Sequence, residues 1–356
     1  MIKIVNWDSV GNIMWGVRME KHMGPDWRSK LLPDDPAAIA HAPTFEELFA
    51  GYDVELVECS SLADVEAHIA DADFLNIHKV IVPDEVLLKG KRLRLVQHLG
   101  QDYRGIPLAA VEALGIPATA TPLINYITVA EHNWALIMNH VKRMPQHRAY
   151  MERRGYVNEG WGAPPSLKIG ILADLTLGLC GFGEIARPMA RYAQAFGMKA
   201  LYWDRQRFPK LEAQYGIEYC AFDELFSRSD ILSVQLPLFP ETHGIVGARE
   251  IGLMKPNALF VSTARGKLMD QQALTAALRE HRIGGAGLDV FFEEPLPVDD
   301  PIHALHEDLS YNVTITPHSA WQGPWTWVRD SLGIWNNVLH TLRGEPLEYR
   351  VDEGAW

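Results

Sequence analysis

Along the first ~120 residues, short apolar runs alternate with amphipathic stretches. Runs at 2–7, 53–58, 74–77 and 93–98 have the length and apolar density of strands, and the segments 61–71, 83–89 and 107–114 between them have helical spacing. Strand and helix in alternation predict a parallel sheet. A longer pattern runs from about 128 to 154, with Val129, Trp134, Ile137 and Val141 on one face and Pro145 predicting a kink. Beyond a loop at 160–165, residues 175–179 form an apolar run entering a glycine turn, and 187–196 continue as a helix. Further strands are predicted at 199–203, 231–235, 259–262, 285–290 and 313–316, with helices at 222–227 and 271–281. The pattern as a whole predicts an α/β chain of two doubly wound parallel-sheet domains. The second, 125–321, is inserted into the first, 1–124 plus 322–356, to which the last helix, 325–343, returns.

Composition narrows the class. With 356 residues and 47% hydrophobic content the chain can bury more than one core. A formal net charge of −12 argues against a polyanionic partner, so no nucleic acid is expected. No apolar run approaches the ~18 residues that cross a bilayer, so no membrane partner is expected. Residues 1–5 read as a first strand rather than a signal peptide. Cys59, Cys180 and Cys220 are too few and too scattered for a disulfide framework or a zinc site, so no metal is expected and a reducing, cytoplasmic location fits best.

The first candidate chemistry is the turn Gly181-Phe182-Gly183-Glu184-Ile185-Ala186 between a strand and a helix. Gly181 and Gly183 let the backbone approach a pyrophosphate, while the helix N-terminus supplies free N–H groups and a partial positive charge. Alanine is tolerated at the third glycine place of this dinucleotide fingerprint. Asp204 stands one strand later, where a carboxylate accepts hydrogen bonds from ribose hydroxyls and repels a 2′-phosphate. NAD is thereby favoured over NADP, with Arg205 and Arg207 as cations able to receive the extra phosphate. Cys180, inside the turn, reads as a small buried side chain.

Reduction of a 2-keto acid needs a cation for the carboxylate, a proton donor at the keto oxygen and a neighbour that keeps the donor protonated. Arg265, His318 and Glu294 suit those roles. A histidine beside a carboxylate holds its proton nearer neutrality, and a guanidinium offers a carboxylate a bidentate fork. Glu293 is the adjacent competitor for the role of Glu294.

Five ordered motifs resemble those of the D-isomer-specific 2-hydroxyacid dehydrogenases: residues 179–185, Gln235-Leu236-Pro237-Leu238 with Glu241-Thr242, Ser262-Thr263-Ala264-Arg265-Gly266, 288–295, and Thr316-Pro317-His318-Ser319-Ala320. The resemblance spans about 90 to 325 and implies a flavodoxin-like substrate domain, a Rossmann NAD-binding domain and a homodimer with the helix from about 128 at its interface. It implies that Arg265 binds and polarises the substrate, that His318 is the acid/base and that Glu294 pairs with it. Asp289 would hold the nicotinamide carboxamide, and Glu184, Ile185, Pro237, Thr242, Thr263 and Ala264 would line the cofactor.

Leu99, Gly100 and Gln101 fall where the family holds the substrate carboxylate in a loop with two glycines, but only Gly100 is kept, with Asp102 and Arg104 following. The implied activity is NAD-dependent reduction of a 2-keto acid to the D-2-hydroxy acid. Two alternatives share the fold: a nucleotide-sensing protein like the C-terminal-binding corepressors, and a formate-dehydrogenase-like enzyme, in which glutamine would stand in place of Glu294. Trp321, Trp325 and Trp327 follow His318 where the family has small residues; they either shape the substrate pocket or pack in a core.

Overall fold

A computed structural model describes residues 1–9, 12–15, 43–100, 103–123, 125–154, 169–322 and 324–351. The chain divides into two compact units, Met1–Asn125 with Gln322–Trp356, and Tyr126–Trp321.

The first unit contains β1 (Ile2–Asp8), α1 (Asn12–Trp15), α2 (Phe45–Leu48), β2 (Val54–Cys59), α3 (Leu62–His68), β3 (Phe74–His78), α4 (Asp84–Leu87), β4 (Leu95–Leu99), α5 (Leu108–Leu114) and β5 (Ala118–Thr121). Its five strands are parallel in the order β2-β1-β3-β4-β5. Alternate residues serve opposite faces, as the pleat requires. Val5, Leu75 and Val96 join Val65, Val86 and Val111 from the intervening helices, while Ile4, Phe74 and Leu95 pack with Phe45, Ile334 and Trp335. Ser61 starts α3 through a capping box with Asp64, which explains why the helical stretch begins there.

A polar row crosses this sheet in register. Asn76 Nδ2 donates to Asn6 Oδ1 at 2.9 Å, Gln97 Nε2 to Asn76 Oδ1 at 2.9 Å, and Thr119 Oγ1 to Gln97 Oε1 at 3.1 Å, all of them buried. Each of these side chains satisfies its neighbour, which is the condition for burying an amide.

The second unit begins with α6 (Asn125–Val141) and α7 (Met144–Glu152), where one kinked helix was expected. The break falls at Arg143, whose φ is +50°, and Pro145 lies in the first turn of α7, a place where its missing N–H costs nothing. There follow β6 (Thr176–Cys180), α8 (Ala186–Ala195), β7 (Lys199–Trp203), α9 (Pro209–Tyr215), β8 (Glu218–Tyr219), α10 (Phe222–Arg228), β9 (Ile231–Val234), α11 (Ala248–Leu253), β10 (Leu259–Ser262), α12 (Gln271–Arg279), β11 (Gly285–Leu288), α13 (Ile302–Glu307) and β12 (Val313–Ile315). The parallel order is β12-β11-β10-β9-β6-β7-β8, so the chain first builds outward from β6 to β8 and then resumes on the other side at β9. The crevice beyond the carboxyl ends of β6 and β9 is the topological switch point at which such sheets bind ligands. The last helix, α14 (Pro324–Arg343), belongs to the first unit, where Ile334 O accepts a hydrogen bond from Gln97 Nε2 at 3.1 Å.

Candidate active site

The motif residues of the second unit stand just past its strand ends. Gly181 leaves β6 at φ +99°, and a Cβ there would meet Gln235 O at 2.9 Å, so both conformation and space require glycine. At Gly183 a Cβ would meet no protein atom within 4 Å. Packing therefore does not demand the second glycine, and the open side of its backbone suits the close approach of a pyrophosphate. The α8 ladder opens with Arg187 N donating to Gly183 O at 3.1 Å, which leaves the N–H groups ahead of it for a ligand. Glu184 is engaged by Arg187 at 3.0 Å, and Ile185 occupies the cap position of α8. Cys180 is fully buried, and burial pushes its thiol well above the ordinary range, as an inert side chain requires.

Asp204 follows β7 and accepts from Phe182 N at 2.9 Å, which ties it to the glycine turn. Of the two nearby cations, Arg207 is committed to Glu212 through two contacts of 2.8 Å. Arg205 is exposed and forms no ion pair among the described residues. These features fit an adenosine ribose bearing free hydroxyls.

Thr242 turns its hydroxyl inward: Oγ1 donates to Pro237 O at 2.7 Å and accepts from Phe239 N at 2.8 Å, closing the loop that carries Pro237. Thr263 Oγ1 accepts from Asn133 Nδ2 at 2.7 Å, and Gln235 Nε2 donates to Asn133 Oδ1 at 3.0 Å. This buried network fastens the ends of β9 and β10 to α6. Ala264 is buried beside it.

Arg265 is exposed after β10, with Nη1 donating to Ala264 O at 2.6 Å. The following glycine is obligatory, because a Cβ at Gly266 would lie 1.8 Å from Phe291 O. That close approach presses the Arg265 loop against the segment carrying Glu294, and Arg265 and Glu294 line one cavity of about 480 Å³. Glu294 Oε1 accepts from Phe291 N at 2.9 Å and Oε2 meets His318 Nδ1 at 2.8 Å. The neighbouring Glu293 is exposed and makes no such contact among the described residues, so the structure brings Glu294 to the histidine.

His318 has φ +54°, a left-handed conformation uncommon for a residue with a Cβ and costly unless its surroundings support it. Asp289, fully buried after β11, supplies the constraint. Its Oδ1 accepts from Ser319 N at 2.9 Å and from Thr316 Oγ1 at 2.5 Å, and its Oδ2 accepts from Ala320 N at 2.9 Å. Trp321 Nε1 donates to His318 O at 3.0 Å, so this tryptophan braces the turn. Of the aromatic residues that follow, the side chains of Trp325 and Trp327 lie outside the described residues. Two further groups stand around the turn, Thr316 and His132; sequence assigns neither a role, although Thr316 opens the histidine motif and His132 lies in the first turns of α6.

The proposed substrate loop belongs to the first unit. Leu99 packs its side chain into the core with Phe74 and Trp335, leaving only its backbone for a ligand. Gly100 has φ +102° and its N–H donates to Thr121 O at 2.7 Å. Gln101 lies outside the described residues. Among the described residues no cluster of three His, Cys, Asp or Glu side chains could hold a metal ion, and no helix is long and apolar enough to cross a membrane.

Comparison with known proteins agrees with this architecture. Residues 134–320 match the D-isomer specific 2-hydroxyacid dehydrogenase, NAD binding domain family. The chain is 36% identical over 262 residues to a glyoxylate reductase of Korarchaeum cryptofilum, covering 73% of this chain and 76% of that protein. It is 31% identical over 297 residues to a hydroxypyruvate reductase of Blautia hydrogenotrophica, covering 81% and 88%. Among solved structures, a D-lactate dehydrogenase of Aquifex aeolicus complexed with NAD and lactic acid superposes with a TM-score of 0.61 at 26% identity, covering 96% of each chain. The chain belongs to the D-isomer specific 2-hydroxyacid dehydrogenase family. It is an NAD-dependent oxidoreductase that acts on the CH–OH group.

Proposed function

We propose that the chain reduces a small 2-keto acid to the D-2-hydroxy acid with His318 as the acid/base. The observation that carries this reading is the 2.8 Å contact between Glu294 Oε2 and His318 Nδ1, on the same cluster of strand ends as Arg265. Because Nδ1 is engaged by Glu294, Nε2 is the nitrogen left to give a proton to the keto oxygen during reduction and to take it back during oxidation. Glu294 holds the ring through Nδ1 and so aims Nε2, and Arg265 would pair its guanidinium with the substrate carboxylate. A nicotinamide bound here would supply the hydride chemistry. Gly181, Gly183 and the first turn of α8 would hold the pyrophosphate, and Asp204 would take the ribose hydroxyls and disfavour a 2′-phosphate. We read the first unit as the substrate domain, with Leu99, Gly100 and Gln101 as its candidate substrate-binding residues.

The names of the relatives put glyoxylate and hydroxypyruvate first among substrates. Following NADH absorbance with a panel from glyoxylate and hydroxypyruvate to phenylpyruvate, and repeating it with NADPH, tests the reading. The expected result is turnover of one small keto acid with a clear preference for NADH. His318→Asn should lower kcat by about 10³-fold with NADH binding retained; unchanged turnover would remove the acid/base assignment.

The enzyme is further read as a cytoplasmic homodimer. Three free, buried cysteines support a reducing compartment. The exposed Met144 and Met151 on α7, and Ile169 and Ile171 ahead of β6, supply apolar surface for a second copy. A concentration-independent monomer in light scattering would remove the dimer.

A further inference from the structure

Asp289 is a fully buried carboxylate, and its ligands show what it does. Three of its donors, Thr316 Oγ1, Ser319 N and Ala320 N, belong to the turn that contains His318. A fourth group approaches from another element: His132 Nε2, on α6, lies 3.0 Å from Thr316 Oγ1 and 3.7 Å from Asp289 Oδ1. A hydroxyl has a single proton, and the Thr316 proton is given to Asp289. Thr316 Oγ1 is therefore the acceptor from His132, which fixes a proton on His132 Nε2. The chain of contacts runs from α6 through His132 and Thr316 to Asp289, and from Asp289 to the backbone on the far side of His318.

We propose that His132 is a positioning residue for the reaction: it completes the polar cradle that holds the His318 turn in its left-handed conformation, and so sets the aim of His318 Nε2. The proposal rests on the reading of His318 as acid/base. Three features support it. The φ of +54° at His318 is imposed rather than intrinsic, so it depends on the contacts around it. A carboxylate with no solvent exposure needs its donors held in place, and His132, which donates to the Thr316 hydroxyl that in turn donates to Asp289, reaches this cradle from outside the turn itself. α6 is also fastened to the ends of β9 and β10 through Asn133, next in sequence, so His132 is presented from a fixed support. Displacing a reacting group by about 1 Å can cost on the order of 100-fold in rate.

The test uses the full-length enzyme with NADH and its best keto acid. His132→Phe keeps a ring but cannot donate, and is expected to lower kcat about 10- to 100-fold while KM for NADH changes less than about threefold. His132→Gln retains an Nε2 donor and should recover most of the loss. A second readout needs no turnover: the low-field proton resonance of an imidazole N–H bonded to a carboxylate, assigned to His318 by its disappearance in His318→Asn, should shift or broaden in His132→Phe and return in His132→Gln. If His132→Phe leaves both kcat and that resonance unchanged while His318→Asn is inactive, the positioning role is overturned and the acid/base assignment stands. If His318→Asn is itself active, the reading of the site has failed first.

Discussion

Two histidine–carboxylate pairs of almost the same geometry occupy strand ends in the two units. His318 and Glu294 meet at 2.8 Å with 34% and 35% of their side chains exposed; His78 and Asp8 meet at 3.0 Å with 1% and 7% exposed. Contact distance alone does not mark a reactive pair. The second-unit pair stands on loops beyond the sheet, about a third exposed, with its histidine in a left-handed backbone conformation. The first-unit pair closes the sheet itself: Asp8 and His78 are register partners on β1 and β3, and Asp8 Oδ2 also takes Ile13 N at 2.7 Å. They lie two residues beyond Asn6 and Asn76 and so extend the amide row on the same face. Polar groups that answer to one another hold a fold; polar groups held by strain and left with a free valence are available to a substrate.

The contrast is broken most severely at Gly266. Adding a methyl in Gly266→Ala drives it into the Phe291 carbonyl, a backbone atom that cannot step aside, and should cost about 4 kcal/mol or more while separating Arg265 from Glu294. Denaturant melts and turnover should fail together. Asp8→Ala sharpens the difference between the pairs: it leaves His78 and Ile13 N unsatisfied in the interior, with an expected loss of about 3 kcal/mol of stability. The folded fraction should keep its kcat within about twofold, since Asp8 belongs to the architecture of the first sheet. A large kcat defect in properly folded Asp8→Ala would place the buried pair in the chemistry after all.

The smallest effect concerns a histidine that belongs to neither pair. His140, on α6, is buried with no partner for either ring nitrogen among the described residues, and burial, with Arg143 adding to it, pushes it down to about 4. The native state therefore refuses a proton that the unfolded chain accepts below about pH 6.5. Stability should fall as pH drops from about 6.5 towards 4, by up to about 3 kcal/mol. His140→Leu should remove that slope and add about 1 kcal/mol at neutral pH, read from melting curves across the range.

Much of the second unit was legible because its chemistry is dictated locally. A glycine turn, an Arg-Gly step and a Glu-Pro step each impose a backbone requirement that the residue types declare, and the structure sets Arg265, Glu294 and His318 at neighbouring strand ends. What escaped reading depends on contacts between distant segments. The strand Ala118–Thr121 has no apolar run to betray it; it is a strand because β4 pairs with it and Arg350 bridges it from the other side. Asp289 reads as a cofactor residue from its motif; that its oxygens also hold the His318 turn, 27 to 31 positions further along the chain, shows only in the fold. The Asn6, Asn76, Gln97 and Thr119 row is likewise invisible until the strands are aligned.

The helix α14 packs Ile334 and Trp335 against strands made more than two hundred residues earlier, and Gly333 lets it approach Thr121 closely enough that a Cβ would lie 2.3 Å from that side chain. During synthesis, all of residues 126–321 leave the ribosome before the piece that covers the first sheet exists. The nucleotide-binding unit can therefore complete itself first, while the N-terminal strands wait with one apolar face and their amide row uncovered. The unit that holds residues 1–125 is finished after the one that follows it, which makes those emerging strands the stretch most in need of a chaperone's shelter.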